Sequence, residues 1–569
     1  MHRSRNIAWA GMLGLLLGCA SVNGAEYFVS PSGDDADPGT LEAPFRTFHR
    51  GIDALNDGDP GDTLTLREGV YRLMEEQADP PYARILDHEA SEQVRKTVRA
   101  FPGEKVQLLG SLSTAEEVWA PADDGLWRLP ALFLSNDPSG MWTGERRVEH
   151  RSVLADGIRR HAPISQLTDP GSWTKADDLG AGCDESNDGC YIYMRPLVGE
   201  DPTSEIYELA QEKILEVWAS YVVIEGIEFL YSQGYGVLIA GGSGQRGHVL
   251  RGNRFCHNAA PETNAYLVFS AGGGVLIEGN EACDSAYWGG TPNSRGITFI
   301  TTDPEDPSTV RGNYIHGIPG PAIGSKNGVS GLLVEKNIIR DSFLGVEPAR
   351  FRCHWKGCDP PDGFNYPGGG WVIRENIFIG NQNGVGALFS VSPDGGDVIY
   401  NNTFIGNDRG IHVKLRIGAE QYHWEMENNI FVGNERGIFL NQASGELIDL
   451  EDTFASFDSD HNLFFGNTHD IFLRPNDAGG PDYGTSIDAE EMQIDHGREM
   501  NSVAEMDPMF IDSAEDNYYL HKNSPAREAG DGTRYGVAAV DMGAYPFGDG
   551  IFADGFESGN TTSWSVTHP

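Results

Sequence analysis

Between Ile323 and Cys358 an acidic chain turns basic. Lys326, Lys336, Arg340, Arg350, Arg352 and Lys356 lie there against Glu335, Asp341 and Glu347, a local charge of +3. The whole chain of 569 residues carries 41 Lys plus Arg and 84 Asp plus Glu, a formal charge of −43. A local inversion of this kind suits an anionic ligand. A solvated loop pinned by a disulfide has the same composition. On a uronic acid polymer such a site could perform β-elimination. The carboxylate is neutralised by Arg, Lys or calcium, and a base of lowered pKa then removes the adjacent proton. Lysine can be that base when burial or neighbouring cations depress its pKa.

The rival chemistry is hydrolysis by two carboxylates. Asp284 and Asp341 each fall four residues after a repeated asparagine, in a column that becomes Gly380, Gly406, Gly433 and Gly466 further on. At two repeats apart they would stand about 2 × 4.8 Å from one another, near the upper end used by inverting glycosidases. Asp303, Glu347 and Asp362 are further candidates, and each acid taken alone also fits a turn. His316 sits in a largely apolar column, as either a catalytic group or a satisfied buried histidine. Two aromatic stretches offer faces for sugar rings. One runs from Tyr287 and Trp288 to Arg295; the other holds Arg350, Arg352, Cys353, His354, Trp355 and Lys356.

The elements that must position these residues are repeats. Trp371-Val-Ile-Arg-Glu-Asn-Ile-Phe-Ile-Gly-Asn381 has copies centred on Asn253, Asn280, Asn313, Asn337, Asn376, Asn402, Asn429 and Asn462. The steps are 27, 33, 24, 39, 26, 27 and 33 residues. That period marks a solenoid. Apolar Leu250, Ile277, Val310, Val334, Ile373, Ile399 and Met426 stand three residues before their asparagines, and a polar column follows each. Such in-out alternation over short runs means strands. Short strands stacked rung on rung make a parallel β-helix, with the asparagines as an internal hydrogen-bonded ladder. The alternating Arg and Glu column reads as cross-strand charge pairing on a solvated face. The two long steps flank the 24-residue one, so their loops should wall a single groove.

The chain opens with Glu26-Tyr-Phe-Val-Ser-Pro-Ser-Gly-Asp-Asp and later Gly61-Asp-Thr-Leu-Thr-Leu-Arg-Glu-Gly-Val-Tyr-Arg72. This resembles the N-terminal cap of secreted right-handed β-helix carbohydrate enzymes of pectate-lyase-like fold. Phe45 to Leu55 should form a short amphipathic helix over the open end. Residues 113–215 break the repeat, holding Trp119, Trp127, Trp142 and Trp173. They read as an inserted, mostly β subdomain, similar to one in the β-helical xylosidases. Ala322-Ile-Gly-Ser-Lys-Asn327, then Ile339-Arg-Asp-Ser-Phe-Leu-Gly345 and Arg350, resembles the chondroitinase B and alginate lyase family. That resemblance implies Lys326 as base and Arg350 as acid. It departs from the family at Gly320 and Ala322, where calcium-binding glutamates would stand, so calcium stays an open alternative without the family's ligands.

The N-terminus reads as an export signal: His2, Arg3 and Arg5 before an apolar run from Ile7 to Leu17. Leu16-Leu17-Gly18-Cys19 resembles a bacterial lipobox, with Cys19 as the lipidated residue; cleavage after Ala20 or Ala25 is the alternative. Six further cysteines predict three disulfides in an oxidising compartment: Cys183–Cys190, Cys256–Cys283 and Cys353–Cys358. Cys256 and Cys283 occupy one column on adjacent rungs, within disulfide reach. The net charge argues against nucleic acid, no later segment is apolar enough to be transmembrane, and a monomer is expected.

The expected organisation is an all-β, right-handed parallel β-helix. It has a signal peptide at 1–25, cap and first rungs at 26–112, and the inserted subdomain at 113–215. The repeats occupy 216–470, a closing segment 471–547 and a C-terminal tail 548–569. The tail resembles a short sorting segment of exported proteobacterial proteins. The function expected is that of a polysaccharide lyase on an acidic glycan. A β-helical glycosidase or a non-catalytic glycan-binding adhesin are the alternatives.

Overall fold

The structure is a computed structural model. It describes residues 24–547 apart from 77, 87–89, 132–133, 135–137, 151, 156–157, 184–188, 241–243, 261–264, 288–293, 301–304, 327–328, 330, 349–369, 388–395, 416–423, 443–456 and 475–483.

Each repeat folds into three short strands, and like strands stack into three sheets of twelve strands each. In one rung these are Val249–Arg251, Arg254–Ala260 and Ala265–Ser270, and they are called the first, second and third sheets below. Neighbouring strands run parallel, in register with the repeat: Leu250 pairs with Ile277, and Phe255 with Ala282. One strand, Thr485–Ile487, closes the third sheet antiparallel. The fold is a parallel β-helix.

The expected asparagine ladder is present. The backbone N–H of Asn253 donates to Asn280 Oδ1 at 2.9 Å, and its Nδ2 donates to the same oxygen at 3.1 Å and to Ile224 O at 2.9 Å. The pattern continues through Asn313, Asn337, Asn376, Asn402 and Asn429 to Asn462. A second ladder runs through Asn381, Asn407, Asn434 and Asn467 at the turn between the second and third sheets. Buried turns leave backbone groups without strand partners, and these amides satisfy them. Between the ladders Phe378, Phe404, Phe431 and Phe464 stack at 4.9 to 5.0 Å.

The cap helix is Phe48–Asp57 and buries Phe48, Ile52 and Leu55 against the first rungs. It begins three residues later than the apolar pattern suggests, because Thr47 caps it by accepting from Arg50 N.

Residues Ser111–Ser113 through Glu208–Ala210 form a separate eight-stranded sheet around a core of Trp119, Leu129, Met141, Trp173, Ile192 and Tyr207. Trp119, Trp142 and Trp173 are buried, so they serve packing and present no face to a ligand. Trp142 seats this sheet on the second sheet of the coil, against Leu230, Cys256, Ala259 and Cys283. The disulfides Cys183–Cys190 and Cys256–Cys283 are formed, the second across adjacent rungs at a Cα separation of 4.6 Å. Cys353 and Cys358 lie outside the described residues, as do Cys19 and the tail.

The closing segment returns along the second sheet. Leu520, Ala526 and Met542 pack on Ile430 and Leu463, and Tyr518 and Ala544 on Ile377. The second sheet is thus covered at both ends. The first sheet carries the charge ladder, with Arg311–Glu278 and Arg374–Glu335 each at 2.6 Å. Among the described residues, no element of the insertion or closing segment is laid across the third sheet between Leu215 and Arg474. No helix among them is long and apolar enough to cross a membrane.

Candidate functional site

The third sheet brings together Arg295, Lys326 and Glu347. Its inward column is Val268, Ile297, Ile323, Val346 and Val385, all buried. Strand alternation then points the neighbouring residues outward. Thr298, Gly324 and Glu347 form one outward column. Tyr266 and Arg295 pair two residues before the inward Val268 and Ile297, where the alternation is broken by the core residue Leu267, and Arg295 reaches Glu347 on the outer face. Lys326 follows the strand Pro321–Ser325, and its backbone N–H donates to Phe299 O at 2.7 Å, which extends the ladder one residue and aims the side chain outward.

Arg295 Nη1 donates to Glu347 Oε2 at 2.6 Å, spanning the strand between them. Gly324 makes that span possible. A Cβ there would lie 3.0 Å from Arg295 Nη1 and 3.3 Å from Glu347 Oε2. Both partners are buried, yet the pair is incomplete. Arg295 Nε, Glu347 Oε1 and Thr298 Oγ1 have no hydrogen-bond partner among the described residues. Buried polar atoms are normally matched.

Lys326 is half-buried, with Nζ 5.2 Å from the centroid of the Tyr266 ring. Among the described residues its ammonium makes no ion pair. Burial, and then the Arg295 guanidinium, bring its pKa down to about 8, with Glu347 pulling the other way. Burial pushes the Glu347 carboxyl up, while Arg295 and Lys326 oppose that. A lysine in this setting holds an appreciable neutral fraction near pH 8, the state a general base requires.

The other expected residues lie elsewhere. Asp284 is on the second sheet, beneath the inserted subdomain. It accepts from Trp142 Nε1 at 2.7 Å, His257 Nδ1 at 3.1 Å and Arg147 Nη1 at 3.1 Å. His257 also bonds Glu145 through Nε2 at 2.9 Å, and Glu145 and Glu281 both bind Arg254. Although burial opposes it, the hydrogen bonds to Asp284 and Glu145 hold the His257 pKa above its ordinary value. The His257 hydrogen bond is the largest influence holding Glu145 down at about 2. His316 is in the same sheet, on Glu281 at 3.2 Å and stacked on Tyr314. Asp341 is exposed in a turn at φ 51° and pairs with Arg340. Asp284 and Asp341 are therefore engaged with different partners in different settings. Tyr287 ends the strand Glu281–Tyr287, its side chain outside the described residues. Trp288, Arg350, Arg352, His354, Trp355, Lys356, Asp303 and Asp362 also lie outside them.

Among the described residues one group of ligand-type side chains converges, Cys256, Glu281 and Cys283. Its two sulfurs are joined to each other, leaving no thiolate. On the third sheet the carboxylate beside Lys326 is already held by Arg295, which does not fit the six or more oxygens calcium takes.

Tyr266, Thr298 and Gly324 were not indicated by the repeat. The apolar third-sheet column would have found them, had it been aligned on itself rather than on the asparagines.

No protein-family model matches the chain, and no curated protein is similar to it. Solved structures to which it is similar include XylC in complex with xylose, with 16% identity, 80% of this chain and 87% of that one covered, and a TM-score of 0.48. They also include the pectate lyase Pel9A, with 12% identity, 92% and 96% covered, and a TM-score of 0.40. A third is PfbA, a surface adhesin of Streptococcus pneumoniae, with 12% identity, 77% and 92% covered, and a TM-score of 0.39.

Proposed function

We propose that this is an exported protein that cleaves an acidic polysaccharide by β-elimination, with Lys326 as the base. The observation that carries the reading is Lys326 itself: a half-buried amine of depressed pKa beside a buried arginine, without an ion-pair partner and on a sheet without a cover among the described residues. In the reaction, neutral Lys326 Nζ takes the proton next to the sugar carboxylate. The C–H electron pair becomes the new C=C bond, and the glycosidic oxygen leaves. Arg295 contributes positive potential where the substrate carboxylate gathers charge. The leaving oxygen needs a proton, and the resemblance to the chondroitinase B and alginate lyase family implies Arg350, outside the described residues, as its donor.

Export is supported by the two disulfides and by the expected leader. A hydrolase would need a second carboxylate at a defined separation from the first. Among the described residues, Glu347 is the carboxylate at this site.

The test incubates the protein with alginate, pectate, chondroitin and neutral xylan, with and without calcium. Ultraviolet absorbance of unsaturated uronates is followed beside reducing ends. The lyase reading expects both to rise together on an acidic polymer and both to vanish in Lys326→Ala. Reducing ends without absorbance would replace it with hydrolysis, and neither signal on any acidic polymer would refute cleavage of these glycans.

A further inference from the structure

The third sheet holds a second feature on the line of Lys326. Val217, Ile239, Ser270, Phe299 and Ser325 pair in sequence along five strands. The residue after each continues the ladder: Trp218, Ala240, Ala271, Ile300 and Lys326. Ala240 N donates to Val217 O at 2.8 Å, Ala271 N to Ile239 O at 3.0 Å and Ile300 N to Ser270 O at 2.8 Å. Val217, Ile239 and Phe299 are buried, so the column after them faces outward. Trp218 and Lys326 are therefore the two ends of one outward row. They stand four strand steps apart, about 19 Å at the usual spacing. Small or aliphatic side chains floor the interval.

Trp218 is 40% exposed, unlike the buried tryptophans of the insertion. Its ring is fixed at one edge and flanked by charge. Nε1 donates to Glu216 Oε2 at 3.0 Å, and the Arg84 guanidinium lies 5.7 Å from the ring centroid. Arg84 in turn holds Glu216 at 2.8 Å, and Lys213 holds it at 2.7 Å. An immobilised electron-rich face with hydrogen-bonding groups at its rim matches a sugar ring, whose C–H face is weakly positive and whose edge carries hydroxyls. Isolated exposed aromatics are common on proteins. This one shares a row with the candidate base, across a smooth floor, on the sheet that nothing described covers.

We propose that Trp218 is a distal subsite that stacks one sugar ring of a polysaccharide laid along the third sheet, with its scissile end at Lys326. The subsite rests on the polysaccharide reading above. It adds the direction of the bound chain, parallel to the coil axis, and a minimum length for full binding. A disaccharide at Lys326 cannot reach Trp218, whereas an octasaccharide can.

The test is calorimetric titration of the full chain with di- and octasaccharides of alginate, pectate and chondroitin. It compares the unsubstituted protein with Trp218→Leu, which keeps an apolar side chain and loses the ring, and with Trp218→Phe, which keeps a ring. Thermal unfolding checks that each variant is folded. Octasaccharide affinity is expected to fall roughly two- to tenfold in Trp218→Leu and less in Trp218→Phe, with disaccharide affinity unchanged. Octasaccharide binding equal in Trp218→Leu and the unsubstituted chain would overturn the subsite alone. Failure of the unsubstituted chain to bind any octasaccharide would overturn the polysaccharide reading and the subsite with it.

Discussion

The second and third sheets each gather charged side chains on their outer faces, and they resolve them differently. Around Asp284 each charge meets another. The carboxylate takes Trp142, His257 and Arg147; His257 reaches Glu145; Arg254 ties Glu145 to Glu281. Three of these groups, Trp142, Glu145 and Arg147, come from the inserted subdomain, so the network fastens it to the coil. Around Lys326 the inventory does not close. Arg295 and Glu347 satisfy one another on one side only, and Thr298 Oγ1 and the lysine ammonium are left over among the described residues. Buried unmatched groups are disfavoured unless something else uses them. In a coil made of near-identical rungs, the cluster that fails to satisfy itself is the better candidate for function.

Substitutions should separate the two clusters. Lys326→Ala is expected to have the largest effect, lowering lyase turnover by about 10² to 10⁴, the usual contribution of a general base. Unfolding in urea should move by less than about 0.5 kcal/mol, as for a partly exposed residue without a partner. A large stability loss with intact turnover would place Lys326 in the structural class instead.

Glu499 sharpens the contrast with Glu347, since both are carboxylates wholly out of water. Glu499 ends the first asparagine ladder, bonded to Ser459, Ser502 and Asn462 Nδ2. Burial raises its pKa from 4.5 to about 7 against those hydrogen bonds. A raised folded pKa means that its contribution is fully present below about pH 4.5 and is lost as pH rises through 7. The unsubstituted protein should therefore lose stability relative to Glu499→Gln between pH 5 and 9, on the order of 3 kcal/mol in total. Urea midpoints at several pH values measure this. A constant difference across that range would show that Glu499 does not titrate there.

Asp284→Ala should act on stability alone. It strands the His257 ring, Arg147 and the Trp142 indole N–H. Breaking a buried ion pair costs about 3–5 kcal/mol. Asp284 keeps a quarter of its side chain exposed, which reduces the expected loss to about 2–3 kcal/mol after screening. Turnover per folded molecule should not change. A selective loss of turnover would move the catalytic centre to the second sheet.

The fold was legible because every rung repeats one task in one place. Each asparagine must satisfy the turn beside it, so its type and column persist from Asn253 to Asn462. The neighbouring ladder from Asn381 to Asn467 is equally legible in the Gly-Asn endings of its rungs. The grouping of Arg295, Lys326 and Glu347 was hidden by variable turns between the second and third sheets. From anchor to inward third-sheet residue the distance is 17 residues for Asn280 and Ile297, 10 for Asn313 and Ile323, and 9 for Asn376 and Val385. Counting from the asparagines therefore aligns the first two sheets and scrambles the third. The same counting puts Asp284 and Asp341 in one column, and the register agrees: Cys283, His316 and Arg340 pair in turn, and the two aspartates follow at φ 45° and 51°, but only Asp284 is roofed by the insertion. Its contact with Trp142, 142 residues away, carries no local signal.

The smallest effect belongs to the exposed charge ladder of the first sheet, away from the end where Arg534 and Tyr535 of the closing segment meet Glu425, Glu427 and Tyr400. Arg311 Nε lies 2.6 Å from Glu278 Oε1, with the two side chains 44% and 31% exposed. Geometry this close invites a large energy, but water and mobile ions screen the pair, and holding two long side chains still opposes it. Exposed pairs of this kind contribute about 0–1 kcal/mol. Arg311→Ala should shift the urea midpoint by no more than that and leave turnover untouched. The shift should shrink further in high salt, since screening acts on exposed charges. The Asp284 network, partly sheltered by the insertion, should keep most of its contribution in the same salt. Equal salt sensitivity in Arg311→Ala and Asp284→Ala would mean that the second-sheet cluster is as open to solvent as the charge ladder. It would then lose its standing as the closed counterpart of the Lys326 site.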